Sequence, residues 1–363
     1  MKNKRANGDG SIYFEKSRER WACAIIDPSG KRIVKRFKTE QEAKDYLTVT
    51  KSSIITNAYI QPSQITFGQW LIDYLELYVV PNAQPGTIRT YTNYCEYADP
   101  LNEIPIQKLT TNNLQKLIND LPDSLSNTTK NAIGNLFKRA LRKAFNTRII
   151  PFNPMNDVNI PKKDKTDVET FSIEEIDSIM QYLSSTPKQS RNYAMFKTAF
   201  ATGMRIDEIL ALQKNDIQAD GIIVNKTLKK DLNGKIIVGL PKGKKTRIIP
   251  VPHSVIALLN KRIPNDNGFL FYSNPHKNLL DITNVQVAWV HILENSGVPY
   301  RKIHAIRHTH ATQLLENGVS LAEVSKRLGH SSVTITLNTY SHVLNDKSRK
   351  DYVKDKVTEI FKF

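Results

Sequence analysis

The chain has 363 residues, 40% of them hydrophobic, with 52 Lys+Arg against 35 Asp+Glu, a net charge of +17 and a pI near 9.6. That length holds two or three domains and the composition excludes a disordered chain, while the lack of a long apolar run, a signal peptide or a lipidation motif at "MKNKRANG" argues against a membrane role. The positive charge is spread along the whole chain and fits nucleic acid as partner, through phosphate neutralisation and counterion release, with a basic protein lacking any polyanion partner as the plainer alternative.

Residues 1–60 read as a small β-rich unit carrying 13 Lys+Arg and 7 Asp+Glu, a surplus of +6. "SIYFEKSRERWACAII" and "KRIVKRF" are strand-like, and "DPSG" (27–30) is a turn between them. Thr39 opens a helix as N-cap, and Glu42 completes a capping box. Lys31, Arg32, Lys35 and Arg36 lie on one ribbon that could enter a groove of DNA; a solvated charged hairpin is the other reading. Cys23 and Cys95 are the two cysteines, isolated and without metal-type spacing, which suits a reducing cytosol and no disulfide framework.

"NAYIQPSQI" (57–65) reads as a linker, and residues 66–150 as all helical. Four segments there repeat apolar residues at helical spacing, beginning "FGQWLIDYLELYV", "TIRTYTNYCEYADPL", "TTNNLQKLINDL" and "SNTTKNAIGNLFKRALRKAFN". The last gathers Lys138, Arg139, Arg142 and Lys143, which suits a helix along a phosphate backbone or simply a solvated face. A proline-rich, charged stretch (149–167) marks a second linker, after which Ser172 and Glu175 form another capping box.

From residue 168 the pattern is mostly helical, interrupted by β-like "IIVNKTL" (222–228), "KIIVGL" (235–240) and "RIIPV" (247–251). Asn233-Gly234 marks a first hairpin turn between them and "PKGKK" (241–245) a second. The expected fold class is therefore multidomain α+β. A small β-sheet/helix unit comes first, an all-α unit second, and a mostly α unit with a small antiparallel sheet third.

Four stretches of this last region carry candidate chemistry. In "TGMRIDEILAL" Gly203 ends one helix, and Arg205 and Glu208 share a face at the start of the next. In "LPKGKKTRIIPV" Lys242 sits in a turn, with Lys244 and Lys245 close by. In "HAIRHTHATQLLENG" His304 and Arg307 are one turn apart, and His308 and His310 crowd the same helix start. A metal site on His304 and His308 would need a carboxylate general base of the HExxH kind, and none is present. In "LGHSSVTITLNTYSHV" Tyr340 stands ten residues after His330, with His342 two residues beyond it.

Arg205, His304, Arg307, His330 and Tyr340, in this order and spacing, resemble the signature of the tyrosine recombinase (phage integrase) family. The resemblance is most like integrases of phages or integrative conjugative elements. It implies an arm-type DNA-binding domain at 1–60, a helical, SAM-like core-binding domain at 66–160 and a catalytic domain at 168–363. It implies that Tyr340 is the nucleophile and that Arg205 and Arg307 bracket the phosphate. It makes His304 the base, Lys242 the general acid, His330 a phosphate ligand and Glu208 a support; His342 matches no catalytic position.

The chemistry agrees. A phosphodiester repels a phenolate, and paired guanidiniums offset that charge. The resemblance further implies a homotetramer on double-stranded DNA attachment sites in the bacterial cytoplasm, bound at the nucleoid, integrating or excising a mobile element. No metal or other cofactor is needed, since the phosphotyrosine keeps the bond energy. An excisionase and a host DNA-bending protein would be its accessory partners. The apolar tail residues Val357, Ile360, Phe361 and Phe363 suit docking on a neighbouring subunit or on the chain's own core.

Overall fold

The computed structural model describes residues 10–56, 58–164, 168–243, 245–273, 277–344 and 357. It divides the chain into two compact units, residues 1–164 and 165–363.

The first unit begins with an antiparallel sheet of three strands in sequential order, β1 (Ser11–Glu15), β2 (Arg20–Ile26) and β3 (Arg32–Phe37). Asp27 closes the β2–β3 turn by accepting from the backbone N–H groups of Ser29 and Lys31. Helix α1 (Glu40–Ile55) starts on the expected capping box: Thr39 Oγ1 accepts from Glu42 N–H, and the Glu42 carboxylate accepts from Thr39 N–H.

Four helices follow: α2 (Phe67–Tyr74), continued by a π turn at Leu75–Val79, then α3 (Pro85–Glu96), α4 (Thr111–Asn119) and α5 (Asn127–Asn146). Their shared core includes Phe67, Trp70, Leu114, Ile118, Leu136 and Phe137, and runs from Phe67 to Val158 without any residue of the sheet. Trp70 locks α2 onto α5, its indole N–H donating to the Ala140 carbonyl at 2.9 Å.

The second unit opens with α6 (Ile173–Ser185), capped by the Ser172–Glu175 box, and α7 (Ser190–Thr202). A short α8 (Ile206–Leu210) leads into β4 (Gly221–Val224), β5 (Thr227–Lys230), β6 (Ile236–Gly239) and β7 (Arg247–Pro250). Next come α9 (His253–Asn260), a two-residue ladder of β8 (Tyr272–Ser273) and β9 (Asn278–Leu279), and α10 (Ile282–Ser296). The unit ends with α11 (His304–Glu316), α12 (Leu321–Leu328) and α13 (Val333–Leu344).

The α+β class is as expected, but the β insert departs from the sequence reading in detail. The segment 222–228 is not one strand. It breaks at Asn225-Lys226, and β5 pairs with β6 while β7 returns to pair with β4. Burial explains the split: Ile222, Val224 and Ile249 enter the core, while Lys226 turns aside to donate to both oxygens of Asp216 at 2.6 and 2.7 Å. The turn at 241–245 therefore spans two ladders rather than closing a hairpin.

A large core joins α6–α11, with Trp289 packed against Phe171 and Phe196. The Trp289 indole N–H donates to the Arg301 carbonyl at 2.8 Å, which fixes the segment entering α11. A smaller core of Ala311, Leu315, Val324, Leu328 and Tyr340 ties α11, α12 and α13 together. Of the apolar tail, only exposed Val357 is described; Ile360, Phe361 and Phe363 lie outside the described residues.

Candidate active site

Arg205 sits at the entrance of α8 because α7 must stop just before it. Gly203 ends α7 at φ 63°, and a Cβ there would meet His310 Cδ2 at 2.5 Å, so both the backbone and the space demand glycine. Arg205 Nη1 donates to Glu208 Oε1 at 3.2 Å, and its backbone N–H donates to Glu208 Oε2 at 3.1 Å.

Glu208 is 1% exposed and is also gripped by Arg247, whose Nη1 and Nη2 donate to its two oxygens at 3.2 and 2.7 Å. Burial works against the Glu208 charge, but the Arg247 hydrogen bonds and the charges of Arg247 and Arg205 together hold its carboxyl below the usual range. Arg247 Nε donates further to the Arg327 carbonyl at 3.0 Å. A Cβ on Gly329 would meet that guanidinium at 2.9 Å, so glycine lets the turn before His330 close on Arg247.

α11 supplies Arg307 and three histidines. Arg307 is 3% exposed, and its guanidinium donates to the carbonyls of Gly203 at 2.9 Å and Leu328 at 2.7 Å. Two helix ends thus orient one cation. His304 keeps an open edge, yet desolvation, with the nearby His308, Arg307 and Arg205, lowers it to about 4. His308 lies edge-on to His304, ring centroids 4.8 Å apart, and its Nδ1 is 2.8 Å from the Tyr340 hydroxyl. His310 is structural: its Nε2 accepts from Arg327 Nε at 2.9 Å, so the proton sits on Nδ1, which donates to the Phe200 carbonyl at 2.8 Å.

Tyr340 is 1% exposed, and α13 leaves helical geometry at this residue, with φ −116° and ψ 16°. Burial pushes its phenol up to about 12, partly offset by Arg307. His330 Nδ1 lies 2.7 Å from Thr336 Oγ1, and burial followed by the neighbouring cations lowers it to about 4. A cavity of about 500 Å³ opens beside His304 and Arg307, walled by Trp289, Ile303 and Ile306.

The structure thus gathers Arg205, Glu208, His304, Arg307, His330 and Tyr340 into one cluster. Lys242 is exposed on its turn, and among the described residues no contact joins it to them; Lys245 is exposed too, and Lys244 lies outside the described residues. The backbone of His342 continues α13, and its side chain lies outside the described residues. Sequence reasoning missed Arg247, which no spacing marks, and the contact of His308 with the Tyr340 hydroxyl, which joins residues 32 apart in the chain.

The basic residues of the first unit are arranged differently. Lys31, Arg32, Lys35 and Arg36 are all exposed, but alternation divides β3 between two faces. Arg36 Nε donates to Glu15 Oε2 at 2.6 Å, whereas Lys35 Nζ lies over the Tyr46 ring of α1 at 4.7 Å. On α5, Arg139 stacks on Tyr91 and donates to its hydroxyl, and Lys143 lies over Tyr78. Arg142 is exposed and Lys138 half-buried.

Among known proteins, the phage integrase family matches residues 169–347, and the phage integrase N-terminal SAM-like domain matches residues 66–121. A tyrosine recombinase XerC-like protein of Caldanaerobacter subterraneus subsp. tengcongensis is 31% identical, over 92% of this chain and 94% of its own length. Tyrosine recombinase XerD of Rickettsia conorii is 28% identical over 55% of this chain and 68% of its own. The fold is shared with Tn1549 transposon integrase in complex with a circular intermediate DNA, at a TM-score of 0.70 and 20% identity, covering 80% of this chain and 99% of that one. It is shared too with a lambda integrase tetramer bound to a Holliday junction, at a TM-score of 0.61 and 17% identity, covering 93% of this chain and 96% of that one.

Proposed function

The chain belongs to the phage integrase family and is a tyrosine-type recombinase, and from that premise we propose that it integrates or excises a mobile element by cutting and rejoining double-stranded DNA through a 3′-phosphotyrosine. One observation carries the reading of the site: a single buried phenol, Tyr340, stands at a helix break within a cluster holding Arg205, Arg307, His304 and His330.

In the proposed reaction Tyr340 attacks phosphorus and the 5′-oxygen leaves. Two of the five N–H donors of Arg307 are taken by the Gly203 and Leu328 carbonyls, which leaves three to meet non-bridging oxygens. Arg205 adds the second guanidinium, held by Glu208. His330, oriented by Thr336, hydrogen-bonds the phosphate, and Lys242 swings in on its turn to protonate the leaving oxygen. The family pattern makes His304 the acceptor of the Tyr340 proton, though it is His308 that touches the hydroxyl. The 5′-hydroxyl of a partner duplex then attacks the phosphotyrosine and reseals the strand.

Residues 1–60 would serve as an arm-binding module, 66–160 as a core-binding module and 168–363 as the catalytic module. The helical core that excludes the sheet supports a separable N-terminal module. Like the lambda integrase solved on a Holliday junction, the protein would assemble as a tetramer, on two DNA sites in the bacterial cytoplasm. An excisionase and a host DNA-bending protein would set the direction. No helix among the described residues is long and apolar enough to cross a membrane. The names of the curated relatives favour a second reading, a chromosomal Xer-type recombinase.

The test uses a plasmid bearing the two ends of the candidate element, incubated with the purified protein and host extract. A circle with joined ends is the expected product. Recombination confined to a chromosomal resolution site, with the element ends intact, would favour the second reading.

A further inference from the structure

We propose that His308 is the catalytic group that takes the proton of Tyr340, while His304 serves the phosphate alongside the two arginines. The assignment rests on Tyr340 being the nucleophile. The geometry behind it is direct. His308 Nδ1 lies 2.8 Å from the Tyr340 hydroxyl, and the rings are 5.8 Å apart. No other described side chain has a hydrogen bond to that oxygen. The phenol is also fixed in place: its ring belongs to the small core of Ala311, Leu315, Val324 and Leu328, and its backbone leaves the helix.

Among the described residues His304 makes no hydrogen bond to the phenol, and it meets the His308 ring edge-on at an interplanar angle of 89°. Its electrostatic neighbours are His308 and both Arg307 and Arg205, the two guanidiniums proposed to hold the phosphate.

Protonation agrees with this geometry. Burial, and then Arg307, hold His308 below the ordinary imidazole range, so it is neutral near pH 7 and can present a bare Nδ1 with its proton on Nε2. The charged and titratable groups around it are His304 and Arg307 on its own helix, Tyr340 from α13 and His330 from the turn before α13.

A phenol pushed up to about 12 by burial leaves only about one part in 10⁵ ionised at pH 7, so its proton must move during attack. As the oxygen bonds to phosphorus, the O–H proton passes to His308 Nδ1. The P–O5′ bond breaks, and the leaving oxygen takes a proton from Lys242. On rejoining, the attacking 5′-hydroxyl returns a proton to Lys242, and the departing phenolate recovers its own from His308. An imidazolium beside Arg307 is unfavourable until the pentavalent phosphate adds negative charge, which ties ionisation of Tyr340 to the presence of DNA.

The experiment follows covalent adduct formation on nicked DNA with three proteins: wild type, His308→Asn and His304→Asn. Asparagine at 308 keeps a polar amide near the Nδ1 position without its basicity. His308→Asn is expected to cleave about 10²-fold more slowly at pH 7 while binding DNA as wild type does. Replacing Tyr340 by a difluorotyrosine, a more acidic phenol, should restore most of that loss, but not the loss in His304→Asn. Cleavage by His308→Asn as fast as wild type or faster would overturn the assignment, as would a loss that fluorination does not relieve.

Nitrogen-15 NMR of the unmodified protein gives a reading that needs no variant. A bare Nδ1 on His308 is expected, and a protonated Nδ1 would overturn the proposal. If wild type itself forms no adduct, the recombinase reading fails; if wild type reacts and His308→Asn matches it, only the role of His308 fails.

Discussion

In the second unit Arg307 is 3% exposed, and its guanidinium meets two backbone carbonyls, while Arg247 spends its donors on Glu208 and a third carbonyl. In the first unit Lys31, Arg32, Arg36, Arg139 and Arg142 stand on the surface; Arg36 pairs with Glu15, and Arg139 lies over the Tyr91 ring and donates to its hydroxyl and to the Asn135 carbonyl one turn back. The same residue types are thus used in two ways. Buried guanidiniums are fixed by several partners each, so their geometry exists before any DNA arrives, which is what the proposed action of Arg307 on one phosphate requires. Exposed ones have fewer fixed partners, and if they meet a DNA backbone, as proposed, their worth is set by the number of phosphates met and by salt.

The sharpest way to break this contrast is to remove the carboxylate that two buried arginines share. Glu208→Gln should cost about 3–5 kcal/mol of stability in the second unit, because Arg205 and Arg247 lose a common counter-charge. Denaturant unfolding measures it, and a loss below about 1 kcal/mol would mean the network is no more than a surface pair.

The same unit should show two acid windows. The lowered pKa of His310 means that the folded state resists a proton the unfolded chain accepts, so stability is lost as pH falls from 6.5 toward about 4. The depressed Glu208 carboxyl contributes stability above its unfolded value of 4.5, and that is lost at lower pH, as the folded group protonates. Midpoints flat between pH 7 and 4.5 would contradict the first window.

Next in size, Arg307→Gln should slow DNA cleavage about 10²–10³-fold, the usual loss when one donor to a transition-state oxyanion is removed. Lys242→Ala should slow it about 10²-fold, and a 5′-bridging sulfur, which leaves without a proton, should restore the rate. Rescue of Lys244→Ala or Lys245→Ala instead would move the role along the turn.

The smallest effect belongs to the first unit. Arg139→Ala should weaken DNA binding by about 0.5–1 kcal/mol, with no change in cleavage rate at saturating DNA. A cleavage defect there would erase the contrast.

Legibility in the sequence follows the same division. Arg205, His304, Arg307, His330 and Tyr340 could be picked out only as a set, by an order and spacing that resemble a family signature; no single motif marked them, and the turns at Gly203 and Gly329 that help bring them together show only in the structure. The two capping boxes were legible because three-residue spacing is local. The pairing of β7 with β4 was not, because ladder choice depends on which strand buries Ile222 and Ile249. Arg247 was hidden for a related reason: a lone arginine after a lysine-rich turn looks exposed until Glu208 arrives from another segment. The β3 ribbon could be read as basic, but not that Arg36 would be spent on Glu15 and Lys35 on Tyr46.

The most direct test of the central claim is to trap the protein on a nicked duplex, digest the SDS-resistant adduct and identify the peptide that carries the nucleotide. The nucleotide should be linked through its 3′-phosphate to Tyr340, and Tyr340→Phe should bind the same DNA and yield no adduct. A linkage mapped to Tyr300 or Tyr352, or an adduct persisting in Tyr340→Phe, would contradict the account.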